Sequence, residues 1–127
     1  TTFDLRYTRP NIDEVMDTAS LHAIEHLGAT YLRNQEFQNE IIYFGPMGCR
    51  TGFYLIVAGE KTSKDVYNIV KEMNEFIINY QGLIPGASPK DCGNYTDLSL
   101  EGAKKFANKY LKEFLNNPKE EQFVYPN

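Results

Sequence analysis

Apolar and polar residues alternate over residues 3–8, with Phe3, Leu5 and Tyr7 set against Asp4, Arg6 and Thr8. That period of two is the mark of a half-buried strand. Arg9-Pro10-Asn11 breaks it. A helix is then expected from about Asp13 to Arg33, with acidic residues in its first turn and Val15, Leu27 and Leu32 among its apolar positions. Residues 41–44 form a short apolar run closed by Gly45-Pro46-Met47-Gly48, and a second run, Phe53 to Ala58, follows at once. The pair reads as two antiparallel strands around a Gly-rich connection. Thr62 and Ser63 offer caps for a second helix, where Val66, Ile69, Val70, Met73, Phe76, Ile77 and Tyr80 recur at helical spacing. Residues 81–97 are rich in Gly, Pro, Asp and Asn and read as a long loop, a class that is often functional. A last helix carries Ala103, Phe106, Ala107, Tyr110, Leu111 and Phe114, and Pro118 ends it. The pattern predicts an α+β domain with helices packed on an antiparallel sheet.

Composition narrows the function more than the fold. A chain of 127 residues is expected to form a single domain over 1–127, with 42% hydrophobic and 24% charged residues, as in an ordinary globular protein. A net charge of −4 and the lack of a basic stripe speak against nucleic acid or an anionic membrane as partner. No apolar run has the length of a membrane span and no signal peptide opens the chain, so the cytoplasm is the expected compartment. Two cysteines do not make a disulfide framework. The chain opens Thr1-Thr2-Phe3, already in a strand and without an initiator Met, which suggests processing or a missing upstream segment.

The candidate chemistry begins with the only two histidines, His22 and His26. At i and i+4 both imidazoles share one helix face and can converge on a metal ion. His22-Ala23-Ile24-Glu25-His26 matches H-x-x-E-H, in which the glutamate carries protons beside the metal instead of ligating it. A solvated pair of surface histidines is the bland reading. Metal binding is preferred to it because no other histidine occurs and Ile24 and Leu27 flank the face. A third ligand is required. Cys92, in the polar loop Pro89-Lys90-Asp91-Cys92-Gly93-Asn94-Tyr95, is in an unusual place for a structural cysteine and is the candidate. Cys49 lies between glycines in Pro46-Met47-Gly48-Cys49-Arg50-Thr51-Gly52, where adjacent Arg50 would favour its thiolate. A catalytic thiol and a small core residue at a turn are equally compatible with that setting. The spacing of Gly45, Gly48 and Gly52 is not that of a nucleotide-binding loop.

Taken together, these motifs resemble the S-ribosylhomocysteine lyase family, the autoinducer-2 synthases. The resemblance rests on Phe3-Asp4-Leu5-Arg6, Arg9-Pro10-Asn11, His22-x-x-Glu25-His26-Leu27, the block Pro46 to Tyr54, Asp91-Cys92-Gly93-Asn94-Tyr95 and Leu100-Glu101-Gly102-Ala103-Lys104, in the family's order. It implies a homodimeric αβ sandwich with active sites at the subunit interface. It also implies one divalent metal per subunit, iron(II) natively and zinc or cobalt as substitutes, held by His22, His26 and Cys92. Cys49 and Glu25 would carry protons, and Arg6 would bind substrate at its amino-acid end. The implied reaction converts S-ribosylhomocysteine to homocysteine and 4,5-dihydroxypentane-2,3-dione, serving autoinducer synthesis or homocysteine recycling. Two departures from the family are expected: the N-terminal segment that reaches the partner's site is not part of the sequence read, and Tyr43 and Gly45 stand where many members have an acid and a serine.

Two rival readings remain. An inverted-zincin metallopeptidase would use Glu101 as third ligand in place of Cys92. A non-enzymatic dimer with a structural metal would use Cys49 to close a four-ligand shell.

Overall fold

The computed structural model describes residues 1–123. Three strands, β1 (Thr2–Arg6), β2 (Ile41–Pro46) and β3 (Gly52–Val57), form an antiparallel sheet in the order β1-β3-β2. The expected alternation sets the register. Leu55 lies between Phe3 on one side and Phe44 on the other, all three buried, and Leu5 faces Phe53. Tyr54 lies between Asp4 and Gly45, so the opposite face of the sheet carries polar and aromatic side chains. A bulge between Ile41 and Tyr43 interrupts β2.

The helices α1 (Thr18–Arg33), α2 (Ser63–Asn79) and α3 (Leu100–Tyr110) pack on the Phe3–Phe44–Phe53 face. Val66, Val70, Met73, Asn74 and Ile77 form the buried stripe of α2, and a reciprocal capping box between Thr62 and Asp65 starts it where the sequence indicated. Asn74 is fully buried but satisfied: it accepts from the Tyr7 hydroxyl at 2.7 Å and donates to the Val70 carbonyl at 2.8 Å. The last helix runs on from α3 into a π-helical turn, Leu111–Leu115, before Pro118. The outcome is the α+β class expected, with a three-stranded sheet and three main helices.

The first helix is shorter than its sequence pattern. It begins at Thr18, not Asp13, and no acidic residue lies in its first turn. Residues 9–17 have other partners. Asp13 binds the Arg9 backbone N–H at 2.8 Å and guanidinium at 2.9 Å, and Lys109 at 3.0 Å. Met16 donates its N–H to the Arg50 carbonyl at 3.0 Å, across to the β2–β3 connection. An N–H used in that way cannot serve an i−4 carbonyl. Asp17 then caps the helix, accepting from the Ser20 N–H at 3.1 Å and hydroxyl at 2.6 Å.

This capped end fixes the approach of α3. Ser99, the cap of α3, donates its N–H to the Ala19 carbonyl at 3.0 Å. Gly102 lies against Ser20, and a Cβ there would collide with the Ser20 hydroxyl. The close crossing carries the end of the 81–97 loop to the side of α1. Among the described residues no helix is long and apolar enough to cross a membrane.

Candidate metal centre and thiol site

One helical turn separates His22 from His26 on α1, and their Nε2 atoms are 3.0 Å apart. Each ring uses its other nitrogen on a backbone carbonyl of the 81–97 loop. His22 Nδ1 lies 2.8 Å from the Asp97 oxygen and His26 Nδ1 lies 2.9 Å from the Pro85 oxygen. A carbonyl only accepts, so each Nδ1 carries a proton there, and in its Nδ1–H tautomer each ring turns a lone pair at Nε2 towards the other. In that tautomer two lone pairs face each other at 3.0 Å. A cation is what such a pair can hold.

The same loop supplies a third donor. Cys92 Sγ lies 3.4 Å from His22 Nε2, and the donor atoms of His22, His26 and Cys92 all fall within 4.8 Å of one another. Bonds of about 2.0–2.3 Å in a tetrahedral centre set ligand atoms about 3.3–3.8 Å apart, so this group needs little adjustment to close on one ion. The Asn94 N–H donates to the Cys92 sulfur at 3.4 Å, and the Cys92 N–H to the Ser88 carbonyl at 3.0 Å. Donor chemistry and spacing both fit a divalent metal.

Gly86 allows the loop to come this close. It has φ of +78°, and a Cβ there would lie 3.0 Å from His26 Nδ1. Gly86→Ala should therefore strain the backbone and push the imidazole from the Pro85 carbonyl. We expect metal affinity to fall about 10- to 100-fold, the usual scale for loss of a ligand's supporting partner. Competition against a chromophoric chelator measures it, and an unchanged affinity would refute the role given to Gly86. Glu25, three residues after His22 and so its neighbour on the helix surface, is half-buried, and its carboxylate has no hydrogen-bond or ion-pair partner among the described residues. Its carboxylate is not tied up by the fold.

Cys49 belongs to a different cluster. It is exposed on the β2–β3 connection, where Arg50 takes a left-handed φ of 60°. Its sulfur lies 3.0 Å from the Thr51 hydroxyl and 3.8 Å from Arg6 Nη1. Hydrogen bonds from Thr51 hold the thiol below its ordinary pKa against a small desolvation cost, and the Arg6 charge adds to them. The cation that acts is thus Arg6, from β1, and not the adjacent Arg50 that the sequence suggested. Thr51 itself had no sequence signal, since an isolated threonine after a turn is unremarkable. Nor did Asp97 and Pro85, which act through backbone carbonyls that any residue would offer.

The rival ligands are not at the metal group. Glu101 is an exposed residue in the first turn of α3, as dipole compensation favours, and lies outside the cluster. Cys49 does not join it either. A groove of about 1190 Å³ runs along the β1 edge, but neither histidine and neither cysteine lines it.

Residues 1–121 match the family model of S-ribosylhomocysteinase (LuxS). The chain belongs to that family. It is 62% identical over 126 residues to an S-ribosylhomocysteine lyase of Finegoldia magna, a match covering 99% of this chain and 80% of the relative. Identity to the lyase of Clostridium beijerinckii is 54%, over 100% of this chain and 80% of that one. For the lyase of Borreliella burgdorferi it is 52%, over 99% and 80%. The motif resemblance read from the sequence thus holds over the length of the chain. A member of that family thus carries a His22–His26–Cys92 group that could hold a divalent metal and, in a separate cluster, the exposed Cys49 thiol.

Proposed function

We infer that the chain is an S-ribosylhomocysteine lyase, releasing homocysteine and 4,5-dihydroxypentane-2,3-dione, the precursor of autoinducer-2. The observation that carries this reading is the convergence of His22, His26 and Cys92 within 4.8 Å in a chain 62% identical to such a lyase. Those three residues would hold one divalent metal, iron(II) in the cell, with zinc or cobalt accepted by the same mixed imidazole–thiolate set. When bound, the metal supplies Lewis acidity to the oxygens of the sugar chain.

The residues of the chain supply the proton traffic. Homocysteine sulfur sits on C5 of the ribose, and no carbonyl is next to it at the start. A base must take the C2 proton and return one to C1, which moves the carbonyl from C1 to C2. A second transfer, from C3 to C2, brings the carbonyl to C3. Loss of the C4 proton then expels the C5 sulfur, which takes up a proton, and the resulting enol tautomerises to the dione. No electron donor or acceptor is consumed. Cys49, a thiol biased towards ionisation, and Glu25, a carboxylate without a partner among the described residues, are the two groups we assign to these transfers. Arg6, which pairs with Asp4 and lies 3.8 Å from Cys49, is the residue we assign to substrate binding, at the amino-acid end.

Two copies of the chain are part of this proposal. The metal donors lie on α1 and the 81–97 loop, whereas Arg6 and Cys49 lie on β1 and the β2–β3 connection. The sheet face opposite the helices presents Tyr43 and Tyr54, 47% and 42% exposed, in a position to pack against a second copy. A homodimer with active sites at the interface would bring the two clusters together. We place the enzyme in the cytoplasm, where two thiols unpaired in the fold stay reduced.

The test is direct. Cobalt-loaded protein incubated without oxygen with S-ribosylhomocysteine should release homocysteine over many turnovers, followed by mass spectrometry, and a chelator should stop it. Loaded protein that releases none would overturn the assignment.

A further inference from the structure

We propose that Thr51 is a positioning residue for Cys49: held as an acceptor by Arg6, its hydroxyl turns its single proton onto Cys49 Sγ and presents that sulfur to substrate as a thiolate. The proposal rests on the lyase reading for its purpose, but its geometry stands apart from it.

The chain of contacts begins at Asp4. Its carboxylate engages Arg6 Nε at 3.0 Å and Nη2 at 2.5 Å, a bidentate pair that fixes the plane of the guanidinium. Nη1 is then directed at the Thr51 hydroxyl, 2.6 Å away, and lies 3.8 Å from Cys49 Sγ. Arginine is a donor only, so Thr51 Oγ1 must accept there. Its one proton is left for an acceptor, and Cys49 Sγ faces it at 3.0 Å.

Thr51 is 3% exposed, so its hydroxyl cannot turn freely to water, and a hydrogen bond made in such a place is strengthened by the low local dielectric. Its position does not depend on its hydroxyl. The Thr51 carbonyl accepts from the Tyr7 N–H at 2.9 Å and the Thr8 N–H at 3.0 Å, which ties the residue to the end of β1 through the backbone. Removing the hydroxyl should leave this anchor in place.

The hydrogen bonds from Thr51 are the leading influence that lowers the Cys49 thiol, opposed by desolvation, and the charge of Arg6, paired with Asp4, adds to them. The thiol sits at the surface end of the relay, so it can meet a substrate while its partners are sheltered behind it. The arrangement suits a base that must accept a proton from carbon and return it without leaving its place.

The experiment is alkylation by iodoacetamide between pH 5 and 10, followed for the Cys49 and Cys92 peptides separately by mass spectrometry. In the unmodified chain Cys49 should react at a lower pH than an ordinary thiol; an ordinary profile there overturns the proposal outright. In Thr51→Val, which keeps the shape and loses the hydroxyl, the thiolate is less favoured. The Cys49 rate at neutral pH should then fall about tenfold and recover at high pH, the scale of one hydrogen bond to a charged group. Thr51→Ser should restore the original profile, and Thr51→Ala should behave as Val if Val disturbs folding. Cys92 should react alike in all of them. A folded Thr51→Val with an unchanged Cys49 profile would make Thr51 only a structural partner of Arg6 and sink the idea. In the lyase assay the acidic limb of kcat/KM should move to higher pH in Thr51→Val. Unmodified protein that releases no homocysteine would defeat the lyase reading alone, since the alkylation profile would still report on Thr51.

Discussion

Cys49→Ala is expected to lower homocysteine release at neutral pH by about 10²- to 10⁴-fold, the usual contribution of a positioned acid–base group. Metal content should not change, because Cys49 stands outside the His22–His26–Cys92 group. Fold stability should change little as well. The thiol is exposed, and surface substitutions of this kind usually shift stability within about 0.5 kcal/mol. Three measurements on one variant check this: turnover, bound cobalt and thermal melting. Loss of the metal together with activity would point instead to a structural fourth ligand. Full activity would remove Cys49 from the mechanism and leave the proton transfers to Glu25.

Cys92→Ala carries the second large effect. It removes the only sulfur donor of the group, and two imidazoles on one helix face remain. We expect divalent metal affinity to fall more than about 100-fold, since losing even an outer partner of a ligand costs about 10- to 100-fold. The near-ultraviolet band that a cobalt–thiolate bond produces should vanish, and lyase activity should go with it. The loop itself should keep its course, because the carbonyls of Pro85 and Asp97 still bind His26 and His22 on α1 when the sulfur contact to His22 is lost. Retained affinity with retained activity would refute Cys92 as a ligand.

The extent to which the site was legible depends on the separation of its parts along the chain. His22 and His26 are one turn apart, and helical geometry alone brings them to one face. Cys92 is seventy residues from His22, and only its unusual setting in a polar loop marked it. The Arg6–Thr51–Cys49 contacts cross from β1 to the β2–β3 connection, so neighbour logic misled: it chose Arg50, whose backbone takes a left-handed turn, over Arg6, forty-three residues away. The start of α1 departs from its local pattern for a related reason. Asp13 looks like a first-turn acid until Arg9 and Lys109 claim its carboxylate, the latter from α3.

By itself, then, the sequence determined what local periodicity and residue type can encode: the alternating strands, the buried stripe of α2 with its capping box, the paired histidines, the two thiols and the family to which these motifs belong. Tertiary structure decided which thiol joins the metal donors, which cation acts on the other, and how the imidazoles are oriented. It did so through the Asp97 and Pro85 carbonyls and through a glycine at position 86 that admits the loop. The physical reason is common to all of them. Backbone geometry repeats over a few residues and leaves its period in the side chains, whereas a contact across forty or seventy residues exists only after packing has chosen one approach of the elements that carry it.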